Sequence, residues 1–244
     1  MTQPHKESQI HGQNQYISRF QDYLGEFVYG GIDGSVTTFA VVAGSAGAKL
    51  ESSIAIILGF ANLIADGFAM SVGSYLSTKS EREKYRKHQS IEYWEVDNIP
   101  DAEREEIREI YAAKGFEGEL LEKVVDVITQ DKDRWVDTMM KEELEMAEET
   151  KSPFKMGAVT FLSFLLLGFI PLLIYVIDYF SPLQSNLFLV SSILTGCCFV
   201  GIGWLKSSVT GSKQLKSILE TLVLGGAAAI LSYFVGDFLE KLIA

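Results

Sequence analysis

The sequence predicts an all-α integral membrane protein: five transmembrane helices, with a cytosolic helical insert between the second and the third. Three observations support that class. Hydrophobic residues make up 48% of the 244, and they gather into five blocks, 27–48, 54–76, 154–177, 187–205 and 218–239. Each has about the 20 residues that a helix needs to cross a bilayer core. The net charge of −11 is unevenly placed: residues 79–151 hold 22 of the 32 acidic and 13 of the 21 basic side chains, a local balance of −9. In that acidic segment apolar residues recur at helical spacing, and nothing alternates as a strand does.

The expected organisation is an N-terminal cytosolic lead (1–23), transmembrane helices one and two (24–78), the acidic helical domain (79–151) and transmembrane helices three to five (152–244). The lead is polar, and its His5 and His11 lack ligand spacing. It has no apolar core or small-residue cleavage site of a signal peptide, so the first span is expected to direct insertion. That span, GEFVYGGIDGSVTTFAVVAGSAGA, is rich in small residues that let membrane helices approach closely. It carries Glu26 near its start and Asp33 about 10 Å deeper.

The second span contains one ionisable residue, Asp66. Asn62, Asp66 and Met70 recur at i, i+4 and i+8, which stacks an amide, a carboxylate and a thioether on one face. A carboxylate in hydrocarbon is costly unless it lines a pathway or meets a partner. Asp66 is therefore read as functional, with a hydrogen bond to a neighbouring helix as the plain alternative. The short KLESS turn makes the first two spans a hairpin in which Asp33, at a depth between Met70 and Asp66, converges with both.

The insert reads as four helices, 80–96, 100–114, 118–129 and 132–150, punctuated by Pro100 and Gly115. Ile107, Ile110, Tyr111, Leu121, Val124, Val125 and Ile128 are its expected core. Glu92 and Glu95 stand at i, i+3 on one helix, and Glu103 and Glu106 at i, i+3 on the next. Met139 and Met140 stand four and three residues before Glu143. Acidic helix faces are commonly just solvated surface, so spacing alone leaves that alternative open. As ligands, carboxylates with thioethers suit a borderline ion such as Fe2+ or Mn2+ better than Ca2+ or Mg2+. With no His or thiolate among them, they should bind weakly and exchangeably.

In the third span Pro171 predicts a kink. The fourth and fifth, with Gly196, Gly201, Gly203, Gly225 and Gly226, read as a closely packed scaffold. Cys197 and Cys198 adjoin on one helix, cannot build a disulfide framework, and read as small packing residues. Positive charge follows the second span (Lys79, Arg82, Lys84, Arg86, Lys87), precedes the third (Lys151, Lys155) and joins the fourth to the fifth (Lys206, Lys213, Lys216). Only Lys49 and Lys241 lie on the other side, so the N-terminus is expected in the cytosol and the C-terminus across the membrane. No nucleic-acid partner is expected.

The motifs GGIDGSVTTFAVVAG and ADGFAMSVGSYLSTKSE, with the acidic insert after them, resemble the vacuolar iron transporter family over nearly the whole chain. The resemblance implies a transporter, not an enzyme. It would move Fe2+, often also Mn2+, out of the cytosol in exchange for protons, as a homodimer whose pathway runs between the first two helices of each subunit. It implies pathway roles for Glu26, Asp33 and Met70. It likewise implies metal ligation by Glu92, Glu95, Glu103, Glu106, Met139, Met140 and Glu143, making the insert a cytosolic helical metal-binding domain. It places the protein in the cell membrane of a prokaryote or the vacuolar membrane of a eukaryote. One position departs: a glutamate of the plant-type members is here Asn62, with Asp66 one turn later. The mate is expected to cover the Gly/Ala-rich first helix.

Two other functions are consistent with an acidic insert. One is a membrane-anchored di-iron ferroxidase, which would use Glu-x-x-His pairs; Thr2, Ser8 and Tyr85 stand three residues before the three histidines. The other is a metal sensor.

Overall fold

A computed structural model describes the backbone of residues 15–243 and the side chains of residues 23–243. The expectations for residues 1–14, including His5 and His11, lie outside the described residues. Among those described there are nine helices and no strand: α1 (Gln15–Gly47), α2 (Ser52–Asn98), α3 (Pro100–Ala113), α4 (Gly118–Thr129), α5 (Lys132–Glu142), α6 (Pro153–Gly168), α7 (Ile170–Phe180), α8 (Leu187–Thr210) and α9 (Gln214–Ile243). Four of them, α1, α2, α8 and α9, are long and apolar enough to cross a membrane, and α6 with α7, bent by 51° at the break between them, makes a fifth if the pair is counted as one span. The bend follows from Pro171, which lacks an amide hydrogen and sits in the first turn of α7, after the helix breaks at Phe169. The chain divides into two compact units, one of which is Leu76–Lys151.

In the membrane unit α1 is the central helix. Half of its span is buried, against 22, 28 and 17% for α2, α8 and α9, because α6, α7, α8 and α9 all pack on it. Its glycines permit this. A Cβ at Gly34 would lie 2.5 Å from the Phe164 carbonyl oxygen, and one at Gly30 would lie 2.8 Å from that of Thr160. Gly47 meets the Tyr233 carbonyl of α9 in the same way, and Gly44 lies in ordinary contact distance of Ser232. These glycines of the first helix thus meet the subunit's own α6 and α9. Val28, Phe39, Val42, Leu63, Phe164, Leu172 and Phe199 form the heart of the core. Gly34→Val should therefore destabilise the subunit by about 1–3 kcal/mol through overpacking. Gly73, with nothing within 4 Å of a Cβ, should accept Ala at no cost and gain up to about 1 kcal/mol of helix propensity. Thermal unfolding in detergent checks both.

Helix α2 runs unbroken from its apolar half into its charged half, since Ser77–Glu83 contains neither Pro nor Gly. In the unit Leu76–Lys151, Tyr85, Val96, Ile107, Val125, Ile128, Trp135, Val136, Met139 and Met140 form a separate core. All seven apolar residues expected there belong to it or pack against it. Helix α5 stops at Glu142, eight residues before the expected end. Glu145 adopts φ 51°, and the Met146 amide reaches back to the Met140 carbonyl at 2.8 Å, which closes the helix without a glycine.

Candidate functional site

Within Leu76–Lys151 the turn at Ile99 and Pro100 folds α3 back on α2, so two i, i+3 carboxylate pairs meet. One oxygen each of Glu92, Glu95 and Glu103 lie within 4.8 Å of one another. Glu92 and Glu103 are each only 3% exposed, and the Oε2 atom of each is buried with no hydrogen-bond partner. Burial first, and then the charges of Glu143, Glu95 and Glu106, push the Glu92 carboxyl up to about 7. Burial and then Glu106, Glu92, Glu95 and Glu143 push Glu103 to about 7 as well. Glu106 is also raised, by partial burial foremost and then by Glu95 and Glu109, and Glu143 by the loss of part of the water around its carboxyl and then by Glu106 and Glu95. The five expected carboxylates therefore act on one another as one cluster.

Several cations of this unit are engaged with other acids. Arg104 pairs with Asp126, Arg108 with Glu105 and Glu122, Lys114 with Glu142, and Lys132 with Asp97 at 2.5 Å. None of the five clustered glutamates has an ion-pair partner among the described residues. Converging, partly buried carboxylates without a counter-charge are stable only if protonated or bridged by a cation, and the set offers enough oxygens for a divalent ion. Met139 and Met140 are fully buried in the hydrophobic core of this unit, whereas Glu143, the C-cap residue of α5, is exposed. Position therefore gives the two methionines a packing role at least. Trp135 joins them in that core with its indole nitrogen unpartnered, a feature no sequence spacing announced.

In the membrane unit Asp33 on α1 is half-buried, and Asp66 on α2 is the charged group whose field reaches it. Neither carboxylate has a hydrogen-bond or ion-pair partner among the described residues. Asn62 donates to Thr37 Oγ1 at 3.3 Å, and Thr37 in turn donates to the Asp33 carbonyl at 2.9 Å. The amide is thus already bound to the first helix, one turn beyond the aspartate. Met70 packs against the main core. Glu26 Oε2 accepts hydrogen bonds from Ser74 on α2 at 3.1 Å and Thr160 on α6 at 3.0 Å. Thr37, Ser74 and Thr160 went unnoticed in the sequence because hydroxyls that bond across membrane helices leave no spacing pattern. Cys198 packs as expected, partly buried with its sulfur 3.6 Å from Ser35 Oγ, whereas Cys197 is exposed on the subunit, so the packing role expected for it is not met within this chain.

The chain is similar to proteins named vacuolar iron transporter. It is 32% identical to one from Toxoplasma gondii over 250 residues, all of this chain and 80% of that one. It is 34% identical to one from Centaurea cyanus over 209 residues, 85% and 84% of the two chains, and 31% identical to vacuolar iron transporter 1 of Arabidopsis thaliana over 213 residues, 87% and 84%. The model of the VIT family matches residues 24–237, a stretch that takes in both spans bearing Asp33 and Asp66 and the whole glutamate cluster. On this match, and on relatives that carry transporter names, the chain belongs to the VIT family.

Proposed function

We propose that the protein is a proton-coupled transporter of divalent transition metal, with Fe2+ as substrate and Mn2+ as a second one, that moves the ion out of the cytosol. The observation that carries this reading is the pair of unpartnered acid groups: a glutamate cluster in the insert and Asp33 with Asp66 in the span pair. The iron in the names of the relatives supplies the ion. The insert captures it through Glu92, Glu95, Glu103, Glu106 and Glu143, with Met139 and Met140 as softer ligands when the core loosens around them. Glu26, Asp33, Asp66 and Met70 then pass it across, and Asn62 holds α2 to α1 through Thr37. Each carboxylate that binds a dication must first release its proton, which makes the same groups the proton carriers.

Asp33 and Asp66 flank a face of α2 whose apolar side chains, Ile57 and Phe68 among them, are about two-thirds exposed. Ionised groups do not face lipid, so a second copy covering that flank completes the pathway, and the working form is a homodimer. The protein sits as a multi-pass chain with its N-terminus and insert in the cytosol, in the vacuolar membrane of a eukaryote or the cell membrane of a prokaryote. A ferroxidase reading gains nothing from this site, where among the described residues no histidine joins the three gathered glutamates.

Direction is tested by labelling. A cysteine placed at Gln184 should react with an impermeant reagent applied from the non-cytosolic side, and one at Lys114 should not; the reverse would turn the exporter into an importer. A sensor is separated from a transporter by Fe2+ accumulation in proteoliposomes, which a sensor cannot produce.

A further inference from the structure

We propose that Ser74 and Thr160 are positioning residues that hold Glu26 so that one of its oxygens is left for the substrate cation. The inference rests on the transport reading above and adds to it the way one pathway ligand is oriented. Three helices meet at this carboxylate: Glu26 on α1, Ser74 on α2 and Thr160 on α6. Both hydroxyls donate to the same oxygen, Oε2. The other oxygen, Oε1, takes no hydrogen bond among the described residues.

Thr160 is 1% exposed, and its single proton is shared between Glu26 Oε2 at 3.0 Å and the Met156 carbonyl one turn back at 2.9 Å. A threonine in a helix commonly satisfies itself on that carbonyl. Here a charged acceptor competes for the proton, and hydrogen bonds to charged groups are the stronger ones. The approach that makes this reach possible is set at Gly30, one turn after Glu26. Any Cβ there would lie 2.8 Å from the Thr160 carbonyl oxygen and would push α6 away. The sequence thus places a glycine, a buried threonine and a serine on three helices so that one carboxylate is fixed at one oxygen and open at the other. A carboxylate fixed in this way offers a single oxygen in a preset direction, so the ordering cost of capturing the ion is already met.

The test is the concentration dependence of Fe2+ uptake by the full chain in proteoliposomes. Thr160→Val, which keeps the volume and removes the hydroxyl, should raise the apparent KM about 5–10-fold while the maximal rate stays within about twofold. Ser74→Ala should raise it less, and Thr160→Ser should restore the parental KM. In a Glu26→Gln background Thr160→Val should add no further change, because the two residues act as one unit. Parental KM values in both Thr160→Val and Ser74→Ala would overturn the inference and leave the transport reading standing. So would a Thr160→Val effect that persists undiminished in Glu26→Gln, since that would be helix packing alone. If the parent chain accumulates no metal at all, the transport reading fails and this inference fails with it.

Discussion

Asp66→Asn is expected to abolish metal-driven proton movement nearly as fully as Asp33→Asn, while Asn62→Ala leaves substantial activity. A dication crossing hydrocarbon needs its charge offset, and a carboxylate there is costly unless a cation or a polar partner meets it. Asp33 and Asp66 are the two such acids whose fields meet in the span pair. Losing either removes a counter-charge worth about 3 kcal/mol, so each variant should lose about 100-fold in rate. Asn62, although one turn away on the same face, is a hydrogen-bond donor to Thr37. Its loss costs an inter-helix contact of about 1 kcal/mol and no charge. Met70→Leu should change the preference among ions before it stops transport, because only the thioether is lost. Stopped-flow recording of internal pH on metal addition, variant by variant, checks the series; full coupling in Asp66→Asn would make Asp66 a packing residue.

The second large effect belongs to the insert. Glu92 and Glu103 titrate near 7 in the folded chain, against about 4.3 for an unfolded glutamate. A carboxyl raised by folding gives stability that is complete below the unfolded value and is lost as pH rises through the folded one. Without metal, residues 76–151 should therefore melt at a higher temperature at pH 5 than at pH 8, with the loss falling between about pH 4.5 and 7.5. A bound dication reverses the sign, since it favours the ionised form. At 100 times its dissociation constant it stabilises by about 2.7 kcal/mol, or about 10–20 °C for a unit of this size. Binding should fade below pH 6 as protons compete. The fourfold Glu92→Gln, Glu95→Gln, Glu103→Gln, Glu106→Gln variant should show neither the pH slope nor the metal-induced shift. If it binds metal as the parent does, the ligand assignment is wrong.

The spans were legible because hydrocarbon imposes a length and a composition, and five blocks met both. The two carboxylate pairs were legible because i, i+3 spacing fixes a helix face whatever the tertiary structure does. Their convergence depended on the backbone at Ile99–Pro100, which spacing along one helix cannot supply. The apolar stretch from Ser53 passes in the sequence without a break into the charged one up to Lys87, and α2 is one helix through Leu76–Ser77. Composition shifts there, but no breaker interrupts the backbone. The end of α5 at Glu142 was hidden, as a non-glycine residue, Glu145, takes the left-handed conformation. The small residues of α1 announced close packing without saying against what, and its glycines meet α6 and α9. Hydroxyl partners such as Thr37 and Thr160 have no signature at all until the helices are placed.

The measurement that tests the central claim most directly is simultaneous recording of Fe2+ and proton movement across proteoliposomes containing the full chain, with and without an acidic interior. The expected result is Fe2+ accumulation inside, faster with the acidic interior and accompanied by its alkalinisation, and abolished in Asp33→Asn. Fe2+ accumulation no greater than in empty liposomes, or accumulation indifferent to the proton gradient, would contradict it.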